Sequence, residues 1–440
     1  MSFIIDKQTR NDLNLSGKYR SGSIFSLFNK VKTAGGEKLL QQMFNAPFTD
    51  TENINKRSGI FQYIQHSGLD FPFNSNQFKD AEDYLAEENN DFYFISFVKV
   101  YSKKIRGVLL REQQYDNLIR GLAAMLSILN TTNAFLNKYR DRPSYPLDDL
   151  MTNFRTVLED TRLGKLIGNE VLNEMPLYQI AEFDFMLRQR LRKEMLLLLE
   201  TLFHLDVYTA VARVAELNNF SYAESVKSTD NIMEIDSLRH PALPKGVANH
   251  LRFGQPENMV FLTGANMAGK STLMKSFGIA VYLAHLGFPI AAKSMRFSVR
   301  DGLFSSINMA DNLEMGHSHF YAEVLRVKEA AVNVASGKSF VVLFDELFKG
   351  TNVKDAYDGT LLVTKAFSKY QTAVFIISTH IIEVGEELRK SNGDIQFKYL
   401  PTIMNGTIPN YTYLLKDGIT SDRQGMLIIE NEGILQLLKD

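Results

Sequence analysis

The chain has 440 residues, with 49 Lys and Arg against 50 Asp and Glu and a formal net charge of −1 at pH 7. No global pull toward a polyanion follows, so any such site has to come from a local patch. Hydrophobic residues at 45% and charged residues at 22% describe a globular protein rather than a disordered one, and the length calls for about two or three domains. The absence of cysteine removes disulfides, thiol nucleophiles and thiolate metal sites together.

The N-terminal MSFIIDKQTR lacks the charged start, long apolar run and small-residue cleavage site of a secretory signal. From Ser23 to about Ser225 apolar residues recur at spacings of three and four, in SIFSLFNKV, GEKLLQQMF, YDNLIRGLAAMLSILN and EMLLLLETLFHLDVYTAVARVAEL, the period of helices with one buried face. The stretch from Tyr178 to Leu217 contains neither Gly nor Pro and reads as one long helix, a lever or strut. Its most apolar part, MLLLLETLF from Met195, is interrupted by Glu200 and reads as too short to span a membrane; the expected location is cytoplasmic. Two basic clusters lie on helical segments, Lys103, Lys104, Arg106 and Arg111, and Arg188, Arg190, Arg192 and Lys193. Each is either a solvated helix face or a polyanion contact. Breakers at DRPSYP, Asp141 to Pro146, separate two helical stretches, and the polar run Ser221 to Asp230 closes the helical half. Beyond it NIMEI, NMVFLT, SFVVLF and AVFIIS alternate with helical segments, the pattern of βαβ units around a mainly parallel sheet.

The segment TGANMAGKST, 263 to 272, fits G-x-x-x-x-G-K-[ST] with Gly264, Gly269, Lys270 and Ser271, between an apolar strand and a helix. Backbone N–H groups and a helix N-terminus there can wrap phosphates while the lysine reaches the terminal ones. Downstream, the apolar run Phe340 to Phe344 ends in Asp345 and Glu346. Asp345 is placed to hold a hydrated Mg²⁺ together with Ser271, and Glu346 to orient or deprotonate an attacking water. AVFIISTH, 373 to 380, ends another strand and offers His380 either as a sensor of the terminal phosphate or as a helix cap. The polar loop DNLEMGHSHF from Asp311 carries Ser318, which can cap the following helix and also contact a phosphate bound by a neighbouring subunit.

These residues resemble the MutS family of DNA mismatch-repair ATPases. TGANMAGKST is similar to its phosphate loop, DELFKGTN to its D-E-x-x-x-G-T segment, STH to its terminal T-H and DNLEMGHSHF to its Gly-x-Ser loop; RHPAL from Arg239 resembles the entry to its ATPase domain. LFNKVKTAGGEKLLQQMFNAPFTDTENINKR and LDVYTAVARVAELNNF resemble its core helices and returning lever. The resemblance implies an α/β P-loop ATPase domain over 229–440, ABC-like with a mainly parallel sheet, preceded by an all-α core and lever domain over 1–228. It implies ATP and Mg²⁺ as cofactors, with Gly264, Asn266, Gly269, Lys270, Ser271, Thr272 and Ser318 on the nucleotide and Ser271 and Asp345 on the metal. Glu346, His380 and Lys270 are then the catalytic set. It also implies DNA as partner and a homodimer in which Ser318 acts in trans, the alternative being a nucleotide-switched grip on a protein or on a structured RNA such as the ribosome. The family's mismatch-reading and connector domains would lie ahead of residue 1. Ala265 and Ala268 stand where the family loop has proline and glycine, and the KGTNVKDAYDG stretch is longer than its family counterpart. Gly246 stands where an aromatic stacks on adenine, leaving His250 or Phe253 as candidates for the base.

Overall fold

A computed structural model describes residues 2–17, 22–86, 93–110, 113–139, 145–168, 175–307, 319–391, 394–405 and 408–420. The chain divides into two compact units, one of residues 1–28, 44–58 and 214–440, the other of residues 29–43 and 59–213.

The second unit is helical. In helix Gln114–Lys138 the residues Leu118, Leu122, Met125 and Leu129 are buried at spacings of four, three and four, so one face supplies the core. Gly121 on the same helix lets Tyr84 come close: a Cβ there would lie 2.4 Å from the tyrosine Cβ. The loop before helix Ala34–Asn45 is tied to the buried Asp206, whose carboxylate accepts from the backbone N–H of Lys32 (3.0 Å) and Thr33 (2.8 Å) and from the Thr33 hydroxyl (2.7 Å). The Thr33 hydroxyl in turn accepts from Gly36 N–H at 2.9 Å. Gly35 and Gly36 are small by necessity, since a Cβ would meet the Phe203 ring at 2.4 Å and the Asp206 carboxylate at 2.6 Å respectively.

The expected single helix from Tyr178 to Leu217 is instead two, Leu177–Phe185 and Arg192–Asn218, joined by a π-helical turn over Met186–Arg190 and a break at Leu191. Leu187 and Leu191 are both fully buried through the break, so the apolar pattern runs on unbroken and conceals it. Within the second basic cluster, Arg188 is not a surface cation. It is 5% exposed and forms a bidentate pair with Asp184, both bonds 2.6 Å, while Tyr84 donates to the same carboxylate at 2.9 Å. Arg192 donates to the Leu85 carbonyl. The helix Arg192–Asn218 is, against expectation, long and apolar enough by length and composition to cross a membrane, although 61% of its apolar window is buried inside the protein.

The other unit holds the strands β1 Ala223–Val226, β2 Met233–Leu238, β3 Asn249–Phe253, β4 Met259–Gly264, β5 Ser294–Ser298, β6 Gly302–Ser306, β7 Phe340–Asp345, β8 Val374–Ser378, β9 Ile395–Leu400, β10 Thr402–Asn405, β11 Ile408–Tyr411 and β12 Lys416–Asp417. A six-stranded sheet runs β12-β9-β4-β8-β7-β6, parallel except for the edge strand β12. A separate four-stranded sheet, β1-β5-β2-β3, is mixed, and β10 and β11 form an antiparallel pair. The mainly parallel expectation thus describes the larger sheet and not the smaller one. β1 lies in the stretch expected to be all helical, and Ile4 makes a parallel bridge to Gly302 at the free edge of β6. Every residue of β4 is buried, as are the first five of β7, which is why both read as short uninterrupted apolar runs.

Candidate nucleotide site

Register places the site. β7 pairs with β8 so that Asp345 lies opposite Ser378, and β4 pairs with β8 so that Leu262 lies opposite the same serine. The carboxyl ends of three parallel strands therefore meet where ligands bind in open α/β sheets. β4 leads into the loop 265–269 and the helix Lys270–His285. The loop reverses through positive φ at Met267 (70°) and Gly269 (101°), with Ala268 N–H closing onto the Ala265 carbonyl at 3.2 Å. The two alanines that depart from the family pattern thus take no left-handed conformation. Gly269 caps the helix with no side-chain hydrogen bond, so the N–H groups of the first turn face the loop as an anion cradle.

Lys270 is buried and donates Nζ to the carbonyls of Gly264 (2.9 Å) and Ala265 (3.2 Å). Burial pulls its ammonium below the usual lysine range, opposed by the negative charges of Glu346 and Asp345. Ser271 Oγ donates to Asp345 Oδ2, and Ser378 Oγ to Asp345 Oδ1. One hydroxyl and one carboxylate in contact are hard oxygen donors of the kind Mg²⁺ uses when it is held by one or two carboxylates and completed by phosphate and water. Among the described residues no group of three or more His, Asp or Glu could hold a metal by itself.

Glu346 sits at φ 53° and Phe348 at φ 60°, conformations that side chains other than glycine adopt at a cost. The Glu346 N–H bonds to the Ser378 carbonyl at 3.0 Å and its carboxylate pairs with Lys349 at 3.6 Å. His380 is exposed just past the β8 end, and Asn266 and Thr272 are exposed on the loop and first helical turn. Gly264, Asn266, Gly269, Lys270, Ser271, Thr272, Asp345, Glu346 and His380 thus all fall on the loop, its helix or the ends of β4, β7 and β8. Ser318 lies outside the described residues.

Beside the loop a cavity of about 740 Å³ is bordered by Gly246, Val247, Leu243, His240, Tyr413 and Thr272, among others. Neither candidate for the base reaches it: Phe253 is buried against Phe277, ring centroids 5.3 Å apart, and His250 lies by Asp236 on a different pocket. Tyr413 takes their place at the wall, its ring 3.0 Å from where a Gly269 Cβ would be. Its backbone, at φ 55°, is gripped by Asn249, which donates to the Tyr413 carbonyl (3.0 Å) and accepts from Leu415 N–H (2.6 Å). Ser378 and Tyr413 are the two residues that sequence reasoning did not assign. The serine could have been found as the strand-end neighbour of His380; nothing near Tyr413 marks it.

The family model of MutS domain V matches residues 260–436, and that of MutS domain III matches residues 8–212. The chain belongs to the MutS family. Proteins named DNA mismatch repair protein MutS are similar to it from Fusobacterium nucleatum (32% identical over 201 residues, 44% of this chain and 22% of that protein), Leuconostoc mesenteroides (24% over 475 residues, 87% and 55%) and Rickettsia bellii (24% over 505 residues, 92% and 55%). At its widest match the chain of this MutS-family protein spans about half the length of those relatives. The matches lend no support to the alternative of a grip on a protein or on the ribosome.

Proposed function

We propose that this MutS-family chain is a Mg²⁺-dependent ATPase of the P-loop, ABC-like fold that binds DNA in an ATP-dependent manner and serves DNA repair or recombination in the cytoplasm as a homodimer. The observation that carries the reading is the contact of Ser271 with Asp345 at the mouth of the loop that holds Lys270. Loop N–H groups and Lys270 bind the phosphates, and Ser271 and Asp345 would hold the metal, with Ser378 fixing the carboxylate. Bound there, Mg²⁺ supplies positive charge to the phosphate oxygens. Glu346 orients or deprotonates the attacking water, His380 senses the terminal phosphate, and Ser318 of one subunit completes the other's pocket. The cavity at Tyr413 receives the base. Because the chain carries both a nucleotide site and a helical unit, nucleotide state would be transmitted as a shift between conformers that grip DNA differently.

The test is ATP turnover with Mg²⁺ by Lys270→Ala and Glu346→Ala, together with filter retention of duplex DNA with and without ATP. Both variants are expected to lose hydrolysis by at least about a hundredfold, and retention to depend on nucleotide and to fall steeply with salt. Undiminished hydrolysis in both variants removes the assigned site.

A further inference from the structure

The chain holds no cysteine and 16 methionines. Where thiols are absent the thioether is the sulfur that a peroxide oxidises, and access decides which methionine reacts first. Among the described residues one methionine is exposed, Met267 at 79%, while the others are buried or half-buried. Met267 sits in the middle of the phosphate loop, at φ 70°, and borders the cavity of about 740 Å³ beside that loop. Its sulfur accepts from the Tyr411 hydroxyl at 3.9 Å. The Tyr411 ring lies 6.3 Å, centroid to centroid, from the ring of Tyr413 on the cavity wall. Leu243, Val247 and Leu273 line the same cavity, so the surface offered to a base is largely apolar.

We propose that Met267 is an oxidation site through which hydrogen peroxide lowers the affinity of the loop for nucleotide. The sulfur lone pair attacks one peroxide oxygen, the O–O bond breaks, and the other oxygen leaves as water with both protons. The thioether is thereby oxidised by two electrons to the sulfoxide and the peroxide is reduced. A thioether is a weak acceptor, whereas the sulfoxide makes the side chain polar. The Tyr411 hydroxyl then holds a polar oxygen at the rim of an apolar cavity. Lys270, Ser271 and Asp345 keep their contacts, none of which involves Met267, so the change falls on binding and not on the chemical step. The inference rests on the reading that nucleotide binds at this loop with its base in the cavity at Tyr413.

It is tested by exposing the full chain to hydrogen peroxide with and without ATP and Mg²⁺, mapping sulfoxides by peptide mass spectrometry and measuring ATP turnover. Met267 is expected to be oxidised before the other described methionines and to be protected by ATP. KM for ATP is expected to rise on the order of fivefold, with kcat changed less than about twofold. Methionine sulfoxide reductases acting on both epimers should reverse the rise. Met267→Leu, which keeps the apolar volume, should lose the peroxide response whatever its own untreated KM. Prior oxidation at another described methionine, equal oxidation with and without ATP, an unaltered KM once Met267 is fully oxidised, or a response that persists in Met267→Leu overturns the inference. A failure of the nucleotide reading looks different, because the untreated chain then neither binds nor hydrolyses ATP.

Discussion

At the scale of single residues the site depends on how Asp345 is held. A carboxylate that accepts two hydroxyls is fixed in rotation, and here the two come from different elements, Ser271 on the helix and Ser378 on β8. Ser378 is fully buried between β4 and β7, and the side-chain hydrogen bond that its hydroxyl makes is to Asp345, so its replacement by alanine tests the orienting role. Ser378→Ala is expected to raise the Mg²⁺ concentration needed for half-maximal ATP turnover by about tenfold, the usual effect of losing a partner behind a metal ligand. A Mg²⁺ titration of the purified variant reads this directly; an unchanged midpoint assigns the serine to packing alone. The departures at Ala265 and Ala268 need no compensation, because the left-handed positions of the loop are Met267 and Gly269.

At the scale of elements, a helix start can be secured by a residue far away in sequence. Asp206 collects three backbone and hydroxyl donors at the entry to helix Ala34–Asn45 although burial by itself pushes its carboxyl above the usual range, and the Lys32 and Thr33 hydrogen bonds oppose that push. Asp206→Ala leaves the Thr33 N–H and hydroxyl buried without that acceptor, an expected loss of about 3 kcal/mol in urea unfolding, with Asp206→Asn intermediate. A loss under about 1 kcal/mol would reduce the carboxylate to an ordinary exposed cap. The same logic explains the Tyr178 to Leu217 misreading: helical period reports which face is buried, and a π turn that keeps Leu187 and Leu191 buried leaves no mark on it. Arg188 and Arg192 likewise look identical to surface cations in the sequence, and only their partners Asp184 and the Leu85 carbonyl separate them from the cluster.

At the scale of the whole molecule, acid sensitivity has an identifiable source. His285 is fully buried at the end of the phosphate-loop helix; it accepts the Arg300 backbone N–H through Nε2 (3.3 Å), so its proton sits on Nδ1 and is given to the Phe48 carbonyl (2.8 Å). Burial pulls its pKa down to about 4, with the Phe48 hydrogen bond opposing. Unfolded, the ring takes a proton near its ordinary value of 6.5. The unfolded state therefore binds more protons between these values, and the stabilisation present above pH 6.5 is lost as pH falls toward about 4. The expected span is roughly 3 kcal/mol, read as the pH dependence of urea unfolding. His285→Gln should flatten the slope in that window, and an unaltered slope would move its origin to other groups.

The sequence by itself determined the local pattern: a Gly- and Lys-bearing loop between strand and helix, Asp345 and Glu346 at a strand end, Ser378 to His380 at another, and, among the described residues from Ser23 to about Ser225, the mainly helical character apart from its breaks and β1. Those features are written in short contiguous spans, where backbone geometry and side-chain period follow from neighbours. Tertiary structure alone decided which distant residues meet them. Tyr413 and Asn249 at the cavity wall, the first helix on the edge of β6, and the mixed four-stranded sheet all depend on strand order and register. Register is set by the packing of whole faces, and no short stretch of sequence records it.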